Sequence, residues 1–209
     1  MRSVLVGLMV LSAGVFVPAK LPAVPTAPAP TCHPADLFVA DNTDPLFEIQ
    51  ADVTIAQNGA AATGSTPLDG VYWSTALQQT SSDRSREFHL CSPDELTLHT
   101  LAEALRRQFH QQAVLTFDYL PDNLPEHAPG ADAVTVTVPD IDLARFRDAF
   151  VSDPAAHRRL RGGSVTTTDP TLILITATGD LDVARRLVAE AGGSWNAATI
   201  AYGRREFVE

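Results

Sequence analysis

Long apolar runs are missing from this chain, and so are most residue patterns that carry chemistry locally. The charge-free stretch Val4 to Val17 is about 14 residues long, short of the roughly 20 that a membrane-spanning helix needs. Only two cysteines occur, Cys32 and Cys91, and neither has a second cysteine at metal-ligand spacing, which argues against a thiolate zinc site. Six histidines occur without an HExxH or similar pairing, and His99 and His110 stand about three helical turns apart, too far to share an ion. There is no GxGxxG, GxxxxGKS or GxSxG, so no nucleotide fingerprint or nucleophile elbow is present. The sequence therefore predicts no cofactor and no metal. Lys20 is the only lysine, a usage that goes with GC-rich bacterial coding.

Positive charge is scarce overall. The net charge is −10, which disfavours nucleic acid and anionic membranes, since both select basic surfaces. What is present starts with Arg2, the apolar run to Val17 and then Val17-Pro18-Ala19, the pattern of a secretory signal cleaved after residue 19. After cleavage no stable membrane insertion is expected. Residues 20–35 carry Pro22, Pro25, Pro28, Pro30 and Pro34 among alanines, an extended spacer. An exported chain with an even cysteine count predicts a Cys32–Cys91 disulfide.

Two α+β segments follow, residues 36–121 and 133–209, separated by a Pro- and Gly-containing linker at 122–132. The clearest element is a helix after Ser92-Pro93-Asp94-Glu95, read as a Ser92 cap with Pro93 at the first helical position, carrying Leu98, Leu101, Ala102, Leu105 and Phe109 on one face. Strands flank it at Glu87 to Cys91 and Ala113 to Leu120. Residues 45–58 fit a strand by alternation and a helix by Asp44-Pro45 and Gly59; the helix, with Leu46, Ile49, Val53 and Ala56 on its buried face, is the reading adopted. Gly59 to Asp69 reads as a loop. Each segment then runs β-α-β-β-α-β, and the predicted fold is two tandem ferredoxin-like halves, each with its own antiparallel sheet. Leu172-Ile173-Leu174-Ile175, with no polar alternation, calls for cover on both faces of its strand.

One pair stands out as a site candidate. If the strands carrying His89 and Asp118 are neighbours, the two share an open face with Val114 and Thr116, and a His–Asp pair there is able to act as a general base. Without a supporting motif, the sequence favours a secreted non-catalytic binding or inhibitory module with an extracellular or cell-envelope protein partner. The alternative is a secreted enzyme, such as a hydrolase, with its site in the cleft between the halves. A pocket holding His89 would favour the enzyme, and a flat apolar patch the module.

Overall fold

The structure is a computed structural model that describes residues 32–75, 77–92, 94–121 and 130–209. The signal segment, the spacer as far as Thr31, Pro93 and most of the linker lie outside the described residues. No helix among the described residues is long and apolar enough to cross a membrane.

Among the described residues the chain forms eight strands and five α-helices. The first part contains β1 (His33–Ala40), α1 (Phe47–Gln57), β2 (Ala61–Ser74), β3 (Gln79–Ser92), α2 (Glu95–Gln108) and β4 (Val114–Tyr119). The second contains β5 (Ala133–Pro139), α3 (Leu143–Ser152), α4 (Pro154–Arg159), β6 (Gly162–Thr166), β7 (Thr171–Ala177), α5 (Leu181–Glu190) and β8 (Thr199–Val208). The strands do not form the expected ferredoxin-like halves, each with a separate sheet. They close into one barrel in the order β1-β3-β2-β6-β7-β5-β8-β4, with β4 returning to β1. Two seams make the closure: β2 pairs with β6 through Leu68↔Thr166 to Tyr72↔Gly162, and β4 pairs with β8 through Val114↔Val208 to Tyr119↔Gly203. The physical reason is that two separate sheets would leave β2, β4, β6 and β8 with unpaired edges, whose free N–H and C=O groups pair readily; here they pair with one another.

Helices cover the barrel from outside in two clusters. Ala35, Leu37 and Val39 of β1, Phe88 and Leu90 of β3 and Val114 of β4 pack beneath α1 and α2. Val134, Val136 and Val138 of β5 and Leu172 and Leu174 of β7 pack beneath α3, α4 and α5. The alternate residues of the same strands point into the lumen, so β7 presents Leu172 and Leu174 to the helices and Ile173 and Ile175 to the interior. This double cover explains the unbroken apolar run in β7.

Local details follow their side chains. The cap of α2 is Asp94, whose carboxylate accepts from the Thr97 N–H at 2.7 Å, in place of the expected Ser92. The segment 47–57 is helical, but α1 buries Phe47, Ala51 and Ile55 and leaves Leu46, Ile49 and Val53 exposed, the reverse of the expected face. Residues 61–69, expected as loop, extend β2 along β3 with a bulge between Ala62 and Gly64. Gly203 is required by the β4–β8 seam, because a Cβ there would lie 2.3 Å from the Asp118 carbonyl oxygen.

Leu105 of α2 is fully buried against this core. Its replacement by alanine is expected to cost about 2–5 kcal/mol in denaturant unfolding, and a loss below about 0.5 kcal/mol, the range of surface substitutions, would contradict its place in the core.

Candidate functional site

Strands β1 and β3 pair antiparallel with Asp36 opposite His89 and Phe38 opposite Glu87. Alternation then puts Asp36, Phe38, Glu87 and His89 all on the lumen side, since Leu37 and Phe88 point to the helices. Strand β4 adds Tyr119 from the other side of β1. Asp36, Glu87, His89 and Tyr119 line a cavity of about 420 Å³ at one mouth of the barrel, with Thr63, Thr137 and Ile173. Ile173 also lines a second, largely apolar cavity of about 250 Å³ toward the opposite mouth, walled by Phe38, Leu115, Ile175 and Phe207. Tyr72 lies in that second cavity, its hydroxyl 2.7 Å from Ser164 Oγ.

The acidic cluster is tightly bonded. His89 Nδ1 lies 2.9 Å from Asp36 Oδ1, the Tyr119 hydroxyl donates to Asp36 Oδ2, and Thr66 Oγ1 is 3.1 Å from His89 Nε2. Asp36 and Glu87 are both buried, and neither has a Lys or Arg within ion-pair distance among the described residues. Burial first, and then the charge of Asp36, pushes the Glu87 carboxyl up to about 7. The Glu87 and Asp36 carboxyl oxygens lie within 4.8 Å of one another, so the Asp36 charge favours the protonated form of Glu87. The bond to Asp36 raises the His89 imidazole above its ordinary value against the opposing effect of burial. Burial and the neighbouring Asp36 raise Tyr119, which keeps its hydroxyl proton as a donor. A carboxyl that changes protonation near 7 and an imidazole whose proton is held above its ordinary value, side by side in one cavity, are equipped for proton transfer.

The same three side chains, Asp36, Glu87 and His89, each offer one donor atom within 4.8 Å of the others, a mixed oxygen and nitrogen set of the kind divalent cations accept. A cation there would have to displace the Glu87 proton and the His89 bond to Asp36. The spacing rules that pointed away from a metal consider donors on one element, whereas these come from two strands.

The sequence-derived pair is not brought together. Strand β1 lies between β3 and β4, and it sets His89 against Asp36 but Asp118 against Ala35, on opposite faces of the wall. Asp118 instead meets His33 and Arg204 outside the lumen. Val114 and Thr116 share that outer side, where Val114 packs under the helices, so the expected open face does not exist. This removes the ground for a non-catalytic binding module: in place of a flat patch, His89 lines a cavity with two buried carboxyl groups. Asp36, Glu87 and Tyr119 are the residues missed by sequence reasoning. Their signal was the polar alternation Glu87-Phe88-His89-Leu90, whose polar side faces a lumen here rather than solvent.

The predicted disulfide is present, joining Cys32 to Cys91 with their Cα atoms 5.1 Å apart. It fastens the β1 and β3 ends beside the 420 Å³ cavity, which Cys32 helps to line.

No protein-family model matches the chain, and no curated protein matches it. Among solved structures it is similar to an anthrone oxidase-like protein, at 10% identity and a TM-score of 0.27, over 84% of this chain and 93% of that one. It is also similar to a Lactobacillus acidophilus NCFM protein described as a candidate monooxygenase, at 13% identity and a TM-score of 0.27, over 84% of this chain and 95% of that one. Likeness at this level carries no weight for function, which rests on the residues of the lumen.

Proposed function

We propose that this protein is an enzyme that moves protons on a small organic molecule held inside the barrel. The observation that carries the reading is Glu87: a buried carboxyl raised to about 7, within 4.8 Å of Asp36 and His89, with its side chain on the wall of the cavity they share. In its ionised form Glu87 takes a proton from an acidic C–H of the substrate. The C–H bond breaks, an O–H bond forms on Glu87, and the electron pair stays on the substrate, delocalised toward an adjacent carbonyl or phenol oxygen. His89, as the imidazolium favoured by Asp36, donates a hydrogen bond or a proton to that oxygen. Tyr119 keeps Asp36 oriented through its hydroxyl bond. The chamber is built from strands of both segments, since Thr137 and Ile173 face Asp36 and His89 across the lumen.

We extend the proposal to location, with the chain exported. The Met1 to Ala19 pattern and the disulfide support this, because disulfides persist in oxidising compartments.

Proton exchange on a panel of carbon acids tests the reading with the substrate still unidentified. Purified protein is incubated in D2O with aryl ketones, aryl 1,3-diketones and phenols, and deuterium uptake is read by mass spectrometry. Exchange of at least one class above the buffer rate is expected, following a bell-shaped pH dependence. The ascending limb reports Glu87 losing its proton near 7, and the descending limb reports His89 losing the proton that Asp36 holds on it above the ordinary imidazole value. Glu87→Gln should lower the rate by about 10²–10⁴-fold. No exchange with any compound, or parental rates in Glu87→Gln, would overturn the reading.

A further inference from the structure

The mouth opposite the acidic cluster carries the other sign of charge. Arg161 and Arg84 line the 250 Å³ cavity there, with Asp83 as the one carboxylate in its lining. Arg161 has no carboxylate within ion-pair distance among the described residues. Its guanidinium carbon sits over the Phe207 ring, 5.6 Å from the centroid. The backbone of Arg161 is in the left-handed region, with φ of 64°, and is held there by two bonds: its N–H donates to the Ala156 carbonyl at 3.2 Å and its carbonyl accepts from the Trp73 N–H at 2.8 Å. A backbone conformation that is strained for a non-glycine residue is thus fixed at the cavity mouth. On the same strand as Phe207, Arg205 is half-buried, with its Nη1 donating to the Ile175 carbonyl at 3.4 Å; burial lowers its basicity, opposed by the charges of Asp132 and Asp180 and aided by that of Arg161. Arg161 therefore offers an exposed guanidinium, with no carboxylate partner among the described residues, at the mouth of an apolar chamber, where an anion would pair with it.

The chamber sets the rest of the ligand. An apolar cavity of roughly 150 Å³ already accommodates benzene, so about 250 Å³ walled by Phe38, Leu115, Ile173 and Ile175 has room for a substituted ring. Phe38 is the register partner of Glu87, so a ring packed on Phe38 has its far end beside the Glu87 carboxyl. Resting on the reading of the lumen as the reaction chamber, we propose that the ligand is a small molecule with a ring-sized apolar body and a carboxylate head, with Arg161 binding the head and Phe38, Leu115, Ile173 and Ile175 holding the body. The head then marks one mouth of the barrel and the reacting carbon the other.

Three naphthalene probes that differ in head-group charge test this by calorimetric titration of the oxidised protein: 2-naphthoate, its isostere 2-naphthamide, and the cationic 2-naphthylmethylamine, which should bind weakest. The carboxylate should bind tightest. Arg161→Gln should weaken it about 10- to 100-fold, the size of a lost charge-assisted hydrogen bond, and leave 2-naphthamide unchanged, while Arg161→Lys recovers part of the loss. Ile175→Trp, which fills the chamber, should abolish binding of both. Arg161 is exposed, so its variants are expected to fold, and their melting temperatures check this. Equal affinity for the carboxylate and the amide, an unchanged carboxylate affinity in Arg161→Gln, or binding that survives Ile175→Trp would overturn the proposal. The proton-transfer reading fails separately: Glu87→Gln should lose deuterium exchange while retaining 2-naphthoate, so an inactive parent protein that still binds naphthoate through Arg161 sinks only that reading.

Discussion

At pH 8 the Glu87→Gln protein unfolds at a higher temperature and denaturant concentration than the parent, and at pH 4 the two unfold together. The sign follows from linkage. Glu87 holds its proton more tightly folded than unfolded, so at low pH, where both states are protonated, its burial costs no ionisation. As pH rises past the ordinary 4.5 the unfolded chain releases the proton and gains stability relative to the fold, until the folded carboxyl ionises near 7. A rise from 4.5 to about 7, at about 1.4 kcal/mol per pH unit, amounts to roughly 3 kcal/mol. His89 acts in the same direction, since a raised imidazole stabilises the fold below its ordinary 6.5 and loses that contribution as pH rises through its folded value. The parent is accordingly most stable in mild acid. Glutamine keeps the shape and an N–H donor toward Asp36 but has no proton to lose, so it removes the pH-dependent loss. Denaturant titrations of both proteins from pH 4 to 8, with a chelator present so that no cation stands in for the proton, measure the effect. A difference between them that does not change with pH would show that Glu87 does not titrate as described.

The second large effect concerns the disulfide. Replacing both Cys32 and Cys91 by serine should cost about 4 kcal/mol, because the bridge closes a loop between residues 59 apart in sequence and removes that freedom from the unfolded chain. For a protein of ordinary stability, about 5–15 kcal/mol, this is a large share. The loss should also appear in the site before global unfolding. Cys91 is two residues from His89, and Cys32 precedes the strand that carries Asp36, so freeing these ends loosens the acidic cluster. Deuterium exchange should thus fall in the double-serine protein at temperatures where its circular dichroism is still native. Coincident denaturant midpoints for parent and variant would mean that the β1–β3 ladder alone holds these ends.

The sequence made several elements legible because their signals are local. The apolar spacing from Leu98 to Leu105 specified α2, the two cysteines specified their bond, and the bare run Leu172 to Ile175 specified a strand with no wet face. The closure into one ring was not legible, because it depends on pairings such as Phe117 with Arg205 and Gly70 with Ser164, which join residues about ninety apart. The site failed for the same reason. Whether His89 meets Asp36 or Asp118 is decided by which strand lies beside β3, and alternation within β3 says nothing of that. A polar side of a strand was read as facing water, as it does in an open sheet with one covered face; with helices packed outside, that side becomes the interior of a barrel.

The seam between β4 and β8 bears on how the protein is made. Synthesis runs from the amino terminus, and β8 (Thr199–Val208) follows the other seven described strands in chain order. Until that strand is released from the ribosome, β4 and β5 each lack their β8 partner, and a nascent chain carries two hydrogen-bonding edges able to template pairing with its neighbours. Completion of the ring, and with it protection from that fate, waits on β8, whose pairings with β4 and β5 close it.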